Sequence, residues 1–417
     1  MRVLLTGCAE RTTLLPLVPL AWGLRTAGHD VLMATQPAQV DLVARAGLPV
    51  AAVGRDHQFW RVMHRVVGFR QEDPVPPFGD GMLDPERVGW PSLLSGYRHV
   101  VPWWWRLVNE PMLDDLVDLC RRWRPDVVIW ETVTFAGGVA ARAVGAASVR
   151  FVWSADVFAR MRRRFLDARP GDAADDPLAE WLGGCARRFG VDFTEGLVSG
   201  DATVTCLPPP LRRHDPGGLT YLPTRFVPCT GRSRVPAWLR EPPPRPRVCV
   251  TLGTTASERF GGFGFDLPLG DLLAGLAELD VEIVATVPDA QRGRLGTLPD
   301  RVRLESFVPL DALMPTCAAV VNHGGPGTVL TAVTHGVPQV VIPAEFDAPL
   351  LARLLAGTGA ALALPPEEAT PTTVGACVRR VLTESALPVA AATLRTQARS
   401  MPDVHDLADG LVNMADR

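Results

Sequence analysis

Short apolar runs alternate with longer amphipathic segments along both halves of the chain. The short runs have the length of buried strands, whereas apolar residues three and four positions apart indicate helices. Such alternation is typical of parallel α/β sheets, one in each half. The predicted strands are 2–6, 31–34, 125–130, 148–153, 247–252, 281–286, 302–305, 319–322 and 339–343, and the clearest predicted helices are 15–27, 135–144 and 328–335.

A proline-rich segment separates the halves. Residues 231–246 have the composition of an interdomain linker. A chain of 417 residues is too long for one compact core, which agrees with two domains. The expected divisions are an N-terminal domain over 1–224, a linker over 225–246, a C-terminal domain over 247–387 and a helix over 388–417.

The segment 320–343 combines a strand, a glycine-rich turn, a helix and a second strand. Glycines let backbone N–H groups approach a ligand closely, and a helix N-terminus attracts anions. His323 adds a donor to this turn, and Pro326 pre-sets the first helical position. The turn is therefore predicted to hold phosphate; the alternative is a turn that only reverses the chain. Its residues are His323, Gly324, Gly325, Gly327 and Thr328.

Composition narrows the function classes. A net charge of −3 indicates neither a nucleic-acid surface nor an acidic tail, and no apolar run has transmembrane length. The start of the chain lacks signal-peptide features, and eight scattered cysteines without CxxC spacing favour a reducing cytoplasm over disulfides or zinc. All 42 basic residues are arginine, which excludes lysine-dependent mechanisms such as a Schiff base.

The string VNHGGPGT at 321–328 resembles the nucleotide-sugar signature of family 1 glycosyltransferases of GT-B fold. The fragments 17–31, 129–137, 152–166 and 307–325 look like the deoxysugar and aminosugar transferases of bacterial polyketide (macrolide-type) antibiotic biosynthesis. The resemblance implies two Rossmann-like domains with parallel sheets facing a cleft, and a C-terminal helix that returns to the N-domain. It also implies a dTDP-sugar donor, inversion by direct displacement, no metal and no permanently bound cofactor.

Donor-site roles follow from the same resemblance. His323 would contact the diphosphate, and the backbone of the glycine-rich turn would cradle it. Val308 would lie in the segment whose backbone reads the nucleobase. Asp347 would bind sugar hydroxyls, although Ala348 stands where the family usually has glutamine. A polar loop after the first strand of the C-domain would face the diphosphate, through Thr251, Gly253 and Thr254.

The base that activates the acceptor is harder to assign. The family usually has histidine where this chain has Thr13, which is no base at neutral pH. Nearby Glu10 would be kept ionised and weakly basic by its neighbour Arg11. Glu131, after a buried strand, is the preferred candidate; its alternative is a carboxylate that caps the next helix. Asp156 is the second candidate, and His57 and His64 could also enter the cleft.

Aromatic residues are dense over 58–106, a segment predicted to be irregular. Three interpretations stay open: an acceptor-binding surface, ordinary packing, or a protein interface. The resemblance allows a cytochrome-P450-like auxiliary protein docking here, and a homodimer is also open. The arginine-rich run 160–164 is predicted to be a solvated helix face. The aromatics are Phe59, Trp60, Phe69, Phe78, Trp90, Tyr97, Trp103, Trp104 and Trp105.

We therefore expect a transferase that moves a deoxysugar from a dTDP-sugar to a hydroxyl, or an aromatic carbon, of a polyketide-type acceptor. An inactive nucleotide-sugar-binding partner subunit and a GT-B epimerase are the alternatives. A Rossmann oxidoreductase is disfavoured, because the first strand is followed by GCAERTT rather than GxGxxG.

Overall fold

The computed structural model describes residues 1–62, 82–171, 175–253, 267–343 and 346–415. The chain folds into two compact units, neither of which is continuous in sequence. Unit 1 comprises Met1–Cys206, His214–Arg225 and Pro402–Arg417, and unit 2 comprises Leu207–Arg213 and Phe226–Met401. These bounds place the segment 388–401 in unit 2, together with residues 226–246 of the expected linker.

Unit 1 contains a seven-stranded parallel sheet with the order β3-β2-β1-β4-β5-β6-β7. The order reverses between β1 and β4, the position where open α/β sheets bind ligands beyond the carboxyl ends of their strands. Its strands are β1 (Arg2–Thr6), β2 (Asp30–Thr35), β3 (Val50–Ala52), β4 (Val127–Glu131), β5 (Ala147–Val152), β6 (Ala202–Thr205) and β7 (Tyr221–Pro223).

Helices cover this sheet in the manner of a doubly wound fold. They are α1 (Arg11–Leu14), α2 (Leu17–Thr26), α3 (Val40–Arg45), α4 (Phe59–Val62), α5 (Trp90–Val100), α6 (Arg106–Trp123), α7 (Phe135–Val144), α8 (Val157–Ala168), α9 (Pro177–Arg187) and α10 (Gly196–Ser199).

Unit 2 repeats this plan with six parallel strands in the order β10-β9-β8-β11-β12-β13. Its strands are β8 (Arg247–Thr251), β9 (Glu282–Thr286), β10 (Val302–Glu305), β11 (Cys317–Asn322), β12 (Gln339–Val341) and β13 (Ala361–Ala363). Its helices are α11 (Leu269–Leu276), α12 (Asp289–Arg292), α13 (Leu310–Leu313), α14 (Pro326–His335), α15 (Ala348–Ala356), α16 (Pro371–Thr383) and α17 (Ala386–Arg399), and α18 (Val404–Ala415) belongs to unit 1.

The strands are apolar along their length because both faces of each sheet are covered. In β8, Val248 and Val250 pack into one apolar cluster and Cys249 into another, as the two-residue period of a strand requires. All five residues of β4 are buried, including the terminal Glu131. Within the described ranges, no helix is long and apolar enough to cross a membrane.

Two predictions about helices were wrong. The pattern over 388–417 forms two helices, α17 and α18, because Pro402 lacks the N–H that would continue the first. Residues 90–106, predicted to be irregular, form α5 and a π-helical turn, Val101–Trp105, that leads into α6. Pro91 lies in the first turn of α5, where its missing N–H is tolerated.

The arginine-rich run on α8 is not the solvated face that was predicted. Arg160 and Arg162 are buried. The guanidinium of Arg162 donates two hydrogen bonds to Asp176, at 2.9 and 2.8 Å, and two to Glu195, at 3.0 and 2.5 Å. Asp176 also accepts from the backbone N–H of Ala179 at the start of α9. Arg162 therefore clamps two helices of unit 1 together.

Candidate active site

The loop between β11 and α14 is held by a buried amide network. The side chain of Asn322 accepts from the backbone N–H of Gly324 and donates to the Gln339 side chain, both at 2.9 Å. Gln339 in turn donates to the carbonyl of Val329 on α14, at 3.1 Å. These bonds tie β11, β12 and α14 together and fix the entry to the glycine-rich turn. The motif gave no role to Asn322 or Gln339; two amides ending adjacent buried strands were the available signal.

The ring of His323 lies between two glycines. A Cβ on Gly253 would approach the ring Cε1 to 2.7 Å, and a Cβ on Gly325 would approach Nε2 to 2.5 Å. Gly253 also has φ +86°, a left-handed conformation that side chains disfavour. The structure thus brings three predicted residues into contact, and both glycines are needed for the imidazole itself to fit.

The electrostatic surroundings keep His323 neutral. Burial lowers its pKa to about 4, and hydrogen bonding to the backbone of Thr251 only partly opposes this. Nδ1 is shut off from solvent and has no hydrogen-bond partner among the described residues. A neutral imidazole has one N–H to donate, so the ring can serve an anionic oxygen without carrying charge itself.

The remaining donor-site residues lie around this turn. Gly324 has φ +82°, and a Cβ there would come within 2.9 Å of the Cβ of Ala348. Asp347, the N-cap residue of α15, immediately precedes Ala348. The N–H of Thr328 is already used, since it donates to the carbonyl of Gly325 at 3.0 Å. Gly327, in the first turn of α14, is exposed.

Thr251 and Val308 contribute mainly to the scaffold. The Thr251 hydroxyl accepts from the hydroxyl of Thr286 on the neighbouring strand, at 2.8 Å. The side chain of Val308 is buried in an apolar cluster, which leaves its backbone as the group that could meet a ligand. Thr254 lies outside the described residues.

In unit 1, Glu131 ends β4, where the strand order reverses. Its carboxylate links the β4–α7 loop to the loop after β1 through hydrogen bonds. One carboxylate oxygen, Oε2, accepts from the backbone N–H of Val133 and the hydroxyl of Thr134, both at 3.2 Å. That hydroxyl accepts from the N–H of Cys8, at 3.0 Å. Burial raises the pKa of Glu131 to about 7, although hydrogen bonds from Val133, Thr134 and Trp153 oppose the shift. The side chain is only 3% exposed.

Thr13 and Asp156 are engaged in the scaffold of unit 1. The Thr13 hydroxyl lies 2.9 Å from each of the carbonyls of Cys8 and Glu10, so it shapes the loop after β1. Asp156 pairs with the buried guanidinium of Arg150 and accepts from the hydroxyl of Tyr221, at 2.8 Å. It also caps α8. This geometry does not support Asp156 as a base.

The side chain of Glu10 contacts Trp60 and His57, which the sequence-based argument from its neighbour Arg11 did not predict. Its Oε1 accepts from the indole N–H of Trp60 at 2.6 Å, and lies 3.5 Å from Nε2 of His57. Burial lowers the pKa of His57, and the backbone of Ala9 and the charge of Asp56 oppose this. The His57 side chain is 6% exposed and that of Glu10 14%. His64 lies outside the described residues.

Comparison with known proteins identifies the family. The Erythromycin biosynthesis protein CIII-like family matches through its N-terminal domain at residues 22–253 and its C-terminal domain at residues 270–414. The chain belongs to this family. It is a glycosyltransferase of GT-B fold, as the glycine-rich turn and the two parallel sheets predicted.

Two of its relatives are named for the sugar they transfer and the compound that receives it. The chain is 42% identical over 420 residues to the 10-deoxymethynolide desosaminyltransferase of Streptomyces venezuelae, covering 100% of this chain and 97% of the relative. It is 40% identical over 417 residues to the tylactone mycaminosyltransferase of Streptomyces fradiae, covering 96% and 90%. The solved structure of the glycosyltransferase VinC in complex with dTDP matches with a TM-score of 0.88, 36% identity and full coverage of both chains.

The aromatic segment of this family member has more than one environment. Tyr97 and Trp105 are buried, with their ring centroids 5.9 Å apart. Trp105 also packs on Phe135 of α7, at 5.1 Å. Packing therefore accounts for these two residues, whereas Trp103 is 39% exposed. Phe69 and Phe78 lie outside the described residues. The described part of the chain holds no cluster of three or more His, Cys, Asp or Glu side chains suited to a metal ion.

Proposed function

We propose that this glycosyltransferase moves a deoxysugar from a dTDP-sugar to a polyketide-type aglycone, with inversion at the anomeric carbon. The observation that carries the donor assignment is the ring of His323, which lies with Nε2 beside Gly325, the N-cap residue of α14, while its Nδ1 has no partner among the described residues. Both features favour an anionic ligand. The match to a dTDP-bound glycosyltransferase supports the same ligand class.

The leaving group is the dTDP diphosphate. Negative charge develops on its oxygen as the bond to the sugar breaks, and a fixed N–H donor stabilises that charge most when it needs no rearrangement. His323 meets this condition because Gly253 and Gly325 hold its ring on both sides. Asp347, next to the turn, is proposed to accept hydrogen bonds from the sugar hydroxyls. With Ala348 instead of glutamine, we infer a more apolar sugar site, which suits a sugar that lacks hydroxyls.

The acceptor assignment rests on relatives. Those with about 40% identity are named for transfer to 10-deoxymethynolide and tylactone, both polyketide-type compounds. We infer an acceptor of this class, a transfer that needs no bound metal, and a cytoplasmic site of action. Product analysis with the purified chain separates this function from its alternatives. An inactive partner subunit gives no turnover, and an epimerase converts the dTDP-sugar without an acceptor.

Substitution of His323 tests the donor site. His323→Ala should weaken dTDP binding in calorimetry and lower turnover by roughly 100-fold or more, the scale for losing one pre-organised donor. His335 is a matched control at the other end of α14, where its Nε2 pairs with Asp311 at 2.8 Å. His335→Ala should bind dTDP as the parent does. Unchanged dTDP affinity in His323→Ala would refute the diphosphate role.

A further inference from the structure

At the carboxyl edge of the unit 1 sheet, Glu10 and His57 form a largely buried pair that takes no part in the donor site around His323. Glu10 lies four residues after β1, and His57 lies five residues after β3. Strands β1, β2 and β3 are adjacent and parallel, so both loops emerge at the edge where α/β sheets bind ligands.

We propose that His57 is the general base that deprotonates the acceptor hydroxyl, and that Glu10 is the positioning residue that holds its ring. The proposal rests on the transferase function above and assigns the base which that reaction needs. It places the base on the loop after β3, because the hydroxyl of Thr13 in the loop after β1 is committed to backbone carbonyls.

The contacts of Glu10 explain how the ring is oriented. The indole of Trp60 donates to Oε1 at 2.6 Å and holds the carboxylate in place, with Nε2 of His57 3.5 Å from the same oxygen. A carboxylate on one ring nitrogen favours the tautomer that carries its proton there. Nδ1 is then the nitrogen with a lone pair.

The ring nitrogens themselves point to a missing ligand. Neither Nδ1 nor Nε2 of His57 has a hydrogen bond of good geometry within the described residues, although the backbone of Ala9 lies near enough to raise the pKa of the ring, and both nitrogens are buried. An orphaned buried polar atom is costly to a fold, and a bound hydroxyl would remove that cost. Burial also keeps the ring neutral, the state in which it can accept a proton.

The step balances without a further reactant. The acceptor O–H bond breaks and its proton passes to Nδ1 of His57, while the oxygen forms a bond to the anomeric carbon. The bond from that carbon to the diphosphate oxygen breaks, and dTDP leaves with the electron pair. The imidazolium formed is stabilised by the carboxylate of Glu10 and later loses its proton to solvent.

Glu131 is the alternative base. One of its oxygens accepts two hydrogen bonds from its own loop, and Trp153 donates to the carboxylate as well. These donors come from Val133, Thr134 and Trp153, so Glu131 is tied to the β4–α7 loop that it shapes. These contacts make Glu131 a structural carboxylate of the β4–α7 loop rather than a cap of α7, whose first-turn N–H of Ala136 donates to Asn109 instead.

The experiment compares His57→Gln, Glu131→Gln and the parent enzyme with dTDP-desosamine and 10-deoxymethynolide as probes. His57→Gln should lower kcat by about 1,000-fold, within the range for a general base, and leave the calorimetric affinity for dTDP unchanged. Glu131→Gln should retain most of the parental kcat. His99→Gln, on the exposed face of α5, is the matched control and should match the parent.

A double-mutant cycle tests Glu10. Glu10→Gln should lower kcat in the parent and have little effect in the His57→Gln background, since it acts through the ring. Additive losses would indicate a merely structural role for Glu10. Should His57→Gln unfold, His57→Asn is the second variant, and recovery of turnover on adding imidazole would support the base.

The outcomes separate this proposal from the function it rests on. Parental kcat in a folded His57 variant, or a large loss in Glu131→Gln alone, would overturn the role of His57. Failure of the parent to bind dTDP would overturn the proposed function instead. If the parent does not glycosylate 10-deoxymethynolide, the same variants are compared in hydrolysis of dTDP-desosamine, where we expect His57 to deprotonate water in place of the acceptor hydroxyl; equal hydrolysis by His57→Gln and the parent would overturn the role of His57.

Discussion

Two histidines in this chain have buried ring nitrogens without partners in the described residues, one in each unit. His323 was predictable, because the glycines and helix that surround it are adjacent in sequence. His57 was named only as a side chain that could enter the cleft. Its carboxylate partner, Glu10, comes from a distant part of the chain. The hydrogen-bond partners of Thr13 and Asp156 could not be predicted for the same reason: they come from contacts that sequence spacing does not reveal.

At the residue scale, the glycines around His323 give a sharp prediction. Gly325 has φ −60°, which any residue can adopt, so Gly325→Ala acts through the clash with the imidazole alone. We expect weaker dTDP binding, measured by calorimetry, with little change in the unfolding temperature. Gly275→Ala on α11, where a Cβ meets nothing within 4 Å, is the control and should leave dTDP affinity unchanged.

The shifted pKa values predict how stability depends on pH. Folding lowers the pKa of His323 from 6.5 to about 4. Its neutral ring therefore contributes to the free energy of unfolding above pH 6.5, and this contribution is lost as the pH falls towards 4. Folding raises the pKa of Glu131 from 4.5 to about 7. Its protonated carboxyl therefore contributes to the free energy of unfolding below pH 4.5, and this contribution is lost as the pH rises towards 7.

Glu131→Gln removes the second of these contributions. Relative to the parent, this variant should be more stable at about pH 8 than at about pH 5, because only the parent must bury a carboxylate at the higher pH. Urea unfolding at the two pH values measures the difference. An equal effect of the substitution at both would show that Glu131 has an ordinary pKa.

At the element scale, nine strands were predicted to within one or two residues, because runs buried on both faces are distinctive, whereas the short strands β3, β6, β7 and β13 were not predicted. The helical turns around Val101–Trp105 were missed, because this aromatic-rich stretch was predicted to be irregular. The division of the C-terminal helical pattern was missed as well. That division has a consequence for packing: a Cβ on Gly23 of α2 would approach Val404 of α18 to 2.4 Å.

Substitution at this contact should separate the two helices. Gly23→Val is expected to destabilise unit 1 by about 1–3 kcal/mol, the usual cost of overpacking. Gly410 lies inside α18 with open space at its Cβ position, so Gly410→Ala should be neutral or stabilise slightly. Thermal unfolding of both variants tests this, and equal stability of Gly23→Val and the parent would show that α18 does not hold α2 this closely.

At the scale of the whole molecule, alternation of strands and helices and one motif were enough to predict the architecture and enzyme class. The unit bounds were harder to predict, because they depend on which sheet each late helix joins. Residues Pro402–Arg417 belong to unit 1, where the N–H of Arg225 donates to the carbonyl of Pro402 at 2.7 Å.

Removal of the residues after Met401 should therefore weaken unit 1 selectively. We expect a lower unfolding temperature for one calorimetric transition, while unit 2 keeps its affinity for dTDP because the His323 turn is untouched. Loss of dTDP binding in the truncated chain, with unit 1 intact, would contradict the assignment of dTDP binding to unit 2.

Because unit 1 is discontinuous in sequence, its folding depends on the order in which its segments are synthesised. Domains usually complete their folding in the order of synthesis, starting with the N-terminal one. Here the ribosome must deliver α18 before unit 1 is whole, so every residue of unit 2 emerges first. Unit 2, whose sheet carries the His323 turn, can therefore finish folding before α18 is available to unit 1. A chain stalled before Pro402 would expose the surface of α2 around Gly23, which packs against Val404 in the complete protein, and would leave this surface open to chaperones.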